Sequence, residues 1–253
     1  MTSALRKSAV LYHYPCPDGV FAALAAHLYF SAVSKPVLFF PNTVYDPLRV
    51  NDLPLDEVND VYLLDFVGPS GFIAEISTKV DSVTILDHHK TAFEALSGNV
   101  FIGKNVTKVI DMDRSGATIA FDFFKEKLSV RTNISKDLGI YPHGKVGYKL
   151  VSDSKYERVH KLFKYIEDAD LWRWELPHSK AFTSGLKDMN IEYNVNINPT
   201  LFDQVNELSF SIVWSPFSTS KIIMYEIIIC QILYVYIFLL LCFLSYILIL
   251  FQL

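Results

Sequence analysis

Apolar residues in the first half of this chain come in short unbroken runs, and three of those runs stop at an imidazole or a carboxylate. Residues 9–12 precede His13, residues 61–64 precede Asp65, and residues 83–86 precede Asp87. Unbroken rather than alternating apolar runs predict strands buried on both faces, as in a parallel sheet covered by helices. Helical signals fall between them. Asp18-Gly19-Val20 leads into the Ala-rich stretch 21–30, and residues 70–79 and 91–96 carry shorter helical patterns. Residues 37–40, 100–102 and 108–110 read as further short strands, and Ser115 stands where an N-cap would open a helix over 117–128. The alternation predicts an α/β fold built on a parallel sheet flanked by helices.

The pattern loosens further along. Residues 129–154, rich in Gly, Asn, Ser and Lys, predict a loop or insertion, whereas Val159, Leu162, Phe163 and Ile166 mark a helix over 156–169. Residues 191–220 mix Asn, Pro and aromatics without a period. The expected organisation is a domain over 1–190, a linker or remnant of a second domain over 191–220, and a hydrophobic tail over 221–253. Within that tail, residues 232–250 carry no charge and, at about 1.5 Å per residue, are long enough for an apolar helix to cross a bilayer. A cytoplasmic domain tail-anchored to a membrane is the direct expectation. A narrow vocabulary of Ile, Tyr, Phe, Leu and Lys is also what translation through AT-rich noncoding sequence gives, so an artefact of the gene model is the alternative.

Composition adds limits rather than detail. A chain of 253 residues holds one large or two modest domains, and a net charge of −4 gives no reason to expect a general nucleic-acid coat. Cys16, Cys230 and Cys242 show no metal-type pairing and predict no disulfide framework. The polar residues 1–7 do not read as a secretory signal.

The chemistry is expected at the strand ends, because sheets of this kind bind ligands just beyond them. His13, Asp65 and Asp87-His88-His89 would then share one small volume rich in the oxygen and imidazole ligands that Mn²⁺, Fe²⁺ or Zn²⁺ accept. Arranged in order with two further acidic segments, these residues are similar to the motifs of the DHH phosphoesterase superfamily. The similarity covers roughly residues 8–190 in four elements: His13-Tyr14-Pro15-Cys16-Pro17-Asp18-Gly19, Asp65, the triplet with Lys90-Thr91-Ala92, and Tyr165-Ile166-Glu167-Asp168-Ala169-Asp170-Leu171-Trp172.

That resemblance implies strand ends holding one or two Mn²⁺ ions, with Mg²⁺, Zn²⁺ or Fe²⁺ as alternatives. It makes Asp65 the carboxylate shared by both ions, His13 an anchor for one, and Asp18, His88 and Asp170 the shell of the other, with Asp168 competing with Asp170 for its role. His89 would contact phosphate, and Asp87 would be a ligand or the partner that fixes a histidine tautomer. The first element departs from the family, because Pro15-Cys16-Pro17 stands where a further carboxylate is usual. Cys16 is then either a thiolate ligand or a small buried residue. Residues 111–117 also resemble a family segment near the substrate, with Arg114 a candidate charge stabiliser and Ser115 more simply a helix cap. Beside apolar neighbours, Trp172 and Trp174 are expected in the core, with base stacking as the alternative.

The implied activity is hydrolysis of a phosphodiester or phosphoanhydride, in a nucleotide, short single-stranded oligonucleotide or similar substrate, by metal-activated hydroxide. The competing expectation is a catalytically incomplete DHH-fold binding module tethered to a membrane, or a truncated reading frame of the enzyme. It is motivated by the altered first motif and by the lack of a recognisable C-terminal substrate domain.

Overall fold

The computed structural model describes residues 7–97, 103–137 and 153–211. Its centre is a sheet of five parallel strands, β1 (Lys7–Tyr14), β2 (Val37–Thr43), β3 (Val58–Leu64), β4 (Ser82–Asp87) and β5 (Val106–Ile110), in the spatial order β2-β1-β3-β4-β5. The unbroken apolar runs follow from two buried faces. Val10, Tyr12, Tyr62, Leu64 and Leu86 point into one core, while Ala9, Leu11, Val61, Leu63, Val83 and Ile85 point into the other.

The first core is closed by helices α1 (Pro17–Ala32), α4 (Gly116–Asp137), α5 (Asp153–Asp170), α6 (Ser179–Asp188) and α7 (Leu201–Ser211). The second is closed by α2 (Phe72–Ser77), α3 (Lys90–Ser97) and two short 3₁₀ turns, Val50–Asp52 and Leu55–Glu57. Helix α1 is buried along most of its length, between the sheet and the helices outside it. Its run of Ala22, Ala23, Ala25 and Ala26 suits that place, since small side chains let neighbouring backbones come close. Pro17 opens the helix at a position where a missing N–H costs nothing.

Several boundaries differ from those the sequence predicts. Helix α4 runs on to Asp137 and α5 starts at Asp153, so helix occupies both ends of the expected 129–154 loop. Residues 129–137 contain neither Gly nor Pro, and the first breaker is Gly139. Strand β5 begins at Val106, and the strand expected over 100–102 lies outside the described residues.

The stretch expected as a linker contains α7, whose Leu201, Phe202, Val205 and Leu208 are buried in the first core. The chain before α7 is tied to β1 directly: the Tyr12 hydroxyl donates to the Tyr193 carbonyl at 2.7 Å and accepts from the Val195 amide at 3.1 Å. The hydrophobic tail over 221–253 lies outside the described residues, and among the described residues no helix is long and apolar enough to cross a membrane.

Candidate metal centre

From β1 the chain turns one way to β2 and later the other way to β3, so the sheet has a topological switch point between β1 and β3. Loops leaving the strands there diverge and open a crevice at the carboxyl ends. His13 lies at the end of β1, Asp65 one residue beyond β3, and Asp87 at the end of β4 with His88 and His89 beyond it. Asp18 enters from the first turn of α1, and Asp170 from the last residue of α5.

These side chains form one contiguous cluster. His13 Nδ1 lies 3.1 Å from Asp65 Oδ2, and His88 Nε2 lies 3.3 Å from Asp65 Oδ1, 3.5 Å from Asp170 Oδ2 and 3.6 Å from Asp18 Oδ2. Three sets have ligand atoms close enough to hold one ion: His13, Cys16 and Asp65; Asp65, His88 and His89; and Asp18, His88 and Asp170. The first and third have no residue in common, and the second joins them. Asp65 Oδ1 and Asp170 Oδ2 are buried without a hydrogen-bond partner, although buried polar atoms are seldom left so. A donor set of imidazole nitrogens and carboxylate oxygens with orphaned acceptors at its centre fits a divalent cation of the Mn²⁺, Fe²⁺ or Zn²⁺ kind.

Local backbone explains how so many polar groups are held in a buried place. Asp65 adopts the left-handed conformation, φ 64°, which Asp tolerates better than most side chains, and its amide donates to the Leu86 carbonyl at 2.8 Å. Asp18 is fixed by the start of α4: its oxygens accept from the Gly116 amide at 2.7 Å and the Ala117 amide at 3.0 Å. A helix N-terminus suits a carboxylate both by its free amides and by its dipole. Two glycines make the approach physically admissible. A Cβ on Gly19 would sit 2.2 Å from the His13 carbonyl oxygen, and one on Gly116 would sit 2.9 Å from carboxylate oxygens of both Asp18 and Asp65.

Charge is balanced inside the cluster by the imidazoles. Burial opposes ionisation of Asp65, but the hydrogen bond with His13 and the adjacent imidazoles of His88 and His89 outweigh it and hold the carboxyl at about 2. Burial also opposes a charge on His88. Its 3.3 Å approach to Asp65 and the attraction of Asp18 and Asp170 prevail, raising it to about 9. His89 is raised chiefly by its 2.7 Å contact with Asp87, against the effect of burial. Asp18 and Asp170 are raised, first by burial and then, for Asp18, by the charges of Asp65 and Asp170. Burial, with Asp65 and Asp18 adding to it, pushes the Cys16 thiol up to about 12, so a free thiolate is disfavoured there.

The other sequence candidates have distinct positions. Asp87 reaches none of the three ligand sets; its Oδ1 accepts from the backbone amides of His88 and His89 and contacts His89 Nδ1, which makes it an orienting group. Asp168 turns away and accepts from the Glu175 and Leu176 amides, fixing the chain after α5. Arg114 is drawn onto α4, where it donates to Asp122 at 2.6 Å and to the Thr118 carbonyl. That ion pair takes it out of the cluster. Ser115 is fully buried, and its Oγ accepts from the Thr118 amide in the manner of a helix cap.

Sequence reasoning passed over two participants. Gly116 lay inside the 111–117 segment, with no role given to it. Glu167 lay inside a quoted motif, yet only the fold shows its carboxylate accepting from the Ser115 amide and the Thr118 hydroxyl while pairing with Lys164. It braces the same helix start that grips Asp18. Trp172 differs from expectation as well: it is 77% exposed rather than in the core.

No protein-family model matches the chain. A similar curated protein is the uncharacterized protein R106 of Acanthamoeba polyphaga mimivirus, 23% identical over 194 residues, a match covering 74% of this chain and 38% of the viral one. The chain thus spans well under half the length of that relative. Among solved structures, an exopolyphosphatase-related protein from Bacteroides fragilis superposes with a TM-score of 0.36 at 12% identity, over 74% of this chain and 62% of that one.

Proposed function

We propose that the protein is a metal-dependent phosphoesterase of the DHH kind, hydrolysing a phosphodiester or phosphoanhydride. The observation that carries the reading is the meeting of Asp18, Asp65 and Asp170 with His13 and His88, in which Asp65 Oδ1 and Asp170 Oδ2 lie near imidazole nitrogens yet accept no hydrogen bond. His13 and Asp65, with Cys16 beside them, would hold one ion; Asp18, His88 and Asp170 would hold another. Divalent ions so held supply water of lowered pKa and neutralise charge on phosphoryl oxygens.

The chain's own groups do the remaining work. The α4 amides keep Asp18 aimed at the centre. Asp87 holds His89 by its Nδ1, Asp87 itself being buried and the His89 side chain partly exposed. With its proton affinity raised chiefly by the hydrogen bond to Asp87, His89 can donate to a phosphoryl oxygen as its negative charge grows.

The test is a calorimetric Mn²⁺ titration of the full chain against His88→Ala, paired with Mn²⁺-dependent hydrolysis of bis(p-nitrophenyl) phosphate and pyrophosphate by wild type and Asp65→Asn. Asn keeps the left-handed backbone accessible while removing the charge. Binding weakened at least about 100-fold by His88→Ala, with turnover lost in Asp65→Asn, is the expected result. Equal turnover in Asp65→Asn would sink the reading. Binding without turnover on any phosphoester would favour the non-catalytic binding module instead.

A further inference from the structure

A cleft of about 590 Å³ opens beside the cluster, and its walls differ in character from the centre. Asp18 and Asp170 belong to its lining. Besides them it is lined by Ile166, Leu186, Ile191, Tyr193 and the two tryptophans Trp172 and Trp174, with Lys187 as the one cationic group among its lining residues. Its volume falls within the range of small-ligand sites.

The tryptophans are placed there by a built turn. After α5 the chain reverses through left-handed residues at Trp172, φ 54°, and Trp174, φ 56°, a conformation that bulky side chains seldom adopt. The turn is held from both sides: the Asp168 carboxylate accepts from the Glu175 and Leu176 amides, and Arg173 donates to the Asp113 carbonyl at 2.5 Å. The indoles meet edge to face with ring centroids 5.9 Å apart, and Lys180 Nζ lies 5.7 Å from the centre of the Trp174 ring. A large aromatic left 77% exposed, two residues after a candidate ligand, offers an open flat face at the mouth of the cleft.

Such walls do not suit a chain of inorganic phosphates, which is charged along its length and would face one lysine and several apolar surfaces. They suit a phosphoester that carries a flat, weakly polar group next to its phosphate. Resting on the phosphoesterase reading above, we infer that the cleft binds the base of a nucleotide-type substrate, stacked against Trp172, while the adjoining phosphate reaches Asp18 and Asp170. Thr183 and Asn190 stand on the same lining and can meet polar edges of a base. Stacking of this kind tolerates any base, so the preference is for base-bearing over base-free substrates rather than for one sequence.

The experiment has a binding arm that does not depend on catalysis. Equilibrium dialysis of the full chain, without added metal, compares AMP with ribose 5-phosphate. AMP is expected to bind at least ten-fold more tightly, with Trp172→Ala removing about ten-fold of that affinity and Trp172→Phe retaining it. A kinetic arm compares a dinucleotide with inorganic tripolyphosphate in the presence of Mn²⁺. Wild type is expected to favour the dinucleotide through a lower KM, and Trp172→Ala to collapse that preference. If AMP and ribose 5-phosphate bind alike, or Trp172→Ala leaves AMP binding intact, the cleft assignment is wrong whatever the enzyme does. If AMP binds as expected and neither substrate is turned over, the cleft assignment stands and the hydrolase reading is the one that fails.

Discussion

Gly116 illustrates how one residue without a side chain can govern a charged centre. Glycine to alanine near a helix start ordinarily stabilises a protein, because alanine restricts the unfolded chain and favours helix. At this position the added methyl would lie 2.9 Å from an Asp18 oxygen, from Asp65 Oδ1 and from Asp65 Cβ, and both carboxylates are about 1% exposed with no room to retreat. The sign should therefore reverse. Gly116→Ala is expected to lose about 1–3 kcal/mol of stability, the usual range for overpacking, and to weaken Mn²⁺ binding. Urea unfolding and Mn²⁺ calorimetry on the same sample check both halves; a gain in stability would show that the α4 start is not pressed against the two aspartates. At this scale the sequence was informative where chemistry and strand ends coincide. His13, Asp18, Asp65, His88 and Asp170 are all brought together: His13, Asp65 and the 87–89 triplet are legible as the ends of apolar runs, whereas Asp18 and Asp170 were legible only through the resemblance to the DHH motifs. Arg114 was not, because its engagement with Asp122 on its own helix depends on the rotation of α4.

Elements were legible in proportion to how much of their burial came from one repeated pattern. Strands β1, β3 and β4 stand out because every position meets one core or the other. Helix α7 did not, since it contributes only one stripe: Leu201, Phe202, Val205 and Leu208 face the core, while Glu207 is exposed. The Asn- and Pro-rich approach to it masked that stripe. Its packing argues that the stretch after Asn190 is part of the domain's architecture. Phe202 lies 4.7 Å from the His27 ring in a stacked arrangement and 4.6 Å from the Phe39 ring, joining α7 to α1 and β2. Phe202→Ala is expected to cost about 3–5 kcal/mol, as for other fully buried phenylalanines, and to lower the midpoint of a single cooperative urea transition. A midpoint unchanged from wild type would mean that α7 is a separable attachment.

For the molecule as a whole, the fold gathers Asp18, Asp65 and Asp170 at one point, the first two almost fully buried, and sets His13 and His88 against them. Asp65 held at about 2 and His88 raised to about 9 express the same balance from its two sides. A divalent cation would take over the work of the protons and satisfy Asp65 Oδ1 and Asp170 Oδ2 as well. Because the unfolded chain has no comparable site, binding must appear as folding stability. At a free Mn²⁺ concentration 100 times the dissociation constant, the gain is about 2.7 kcal/mol. For a domain of this size that corresponds to a melting temperature higher by roughly 5–10 °C, reversed by EDTA. Asp18→Asn should lose most of the shift, since its carboxylate belongs to the set with His88 and Asp170. The control is Glu75→Gln, an exposed carboxylate paired with Lys79 on the far face, which should keep the full shift. Differential scanning calorimetry with and without Mn²⁺ decides the matter: an equal rise in wild type and Asp18→Asn would place the ion elsewhere on the protein, and no rise in either would leave the buried cluster as an ion-pair network held by its imidazoles alone.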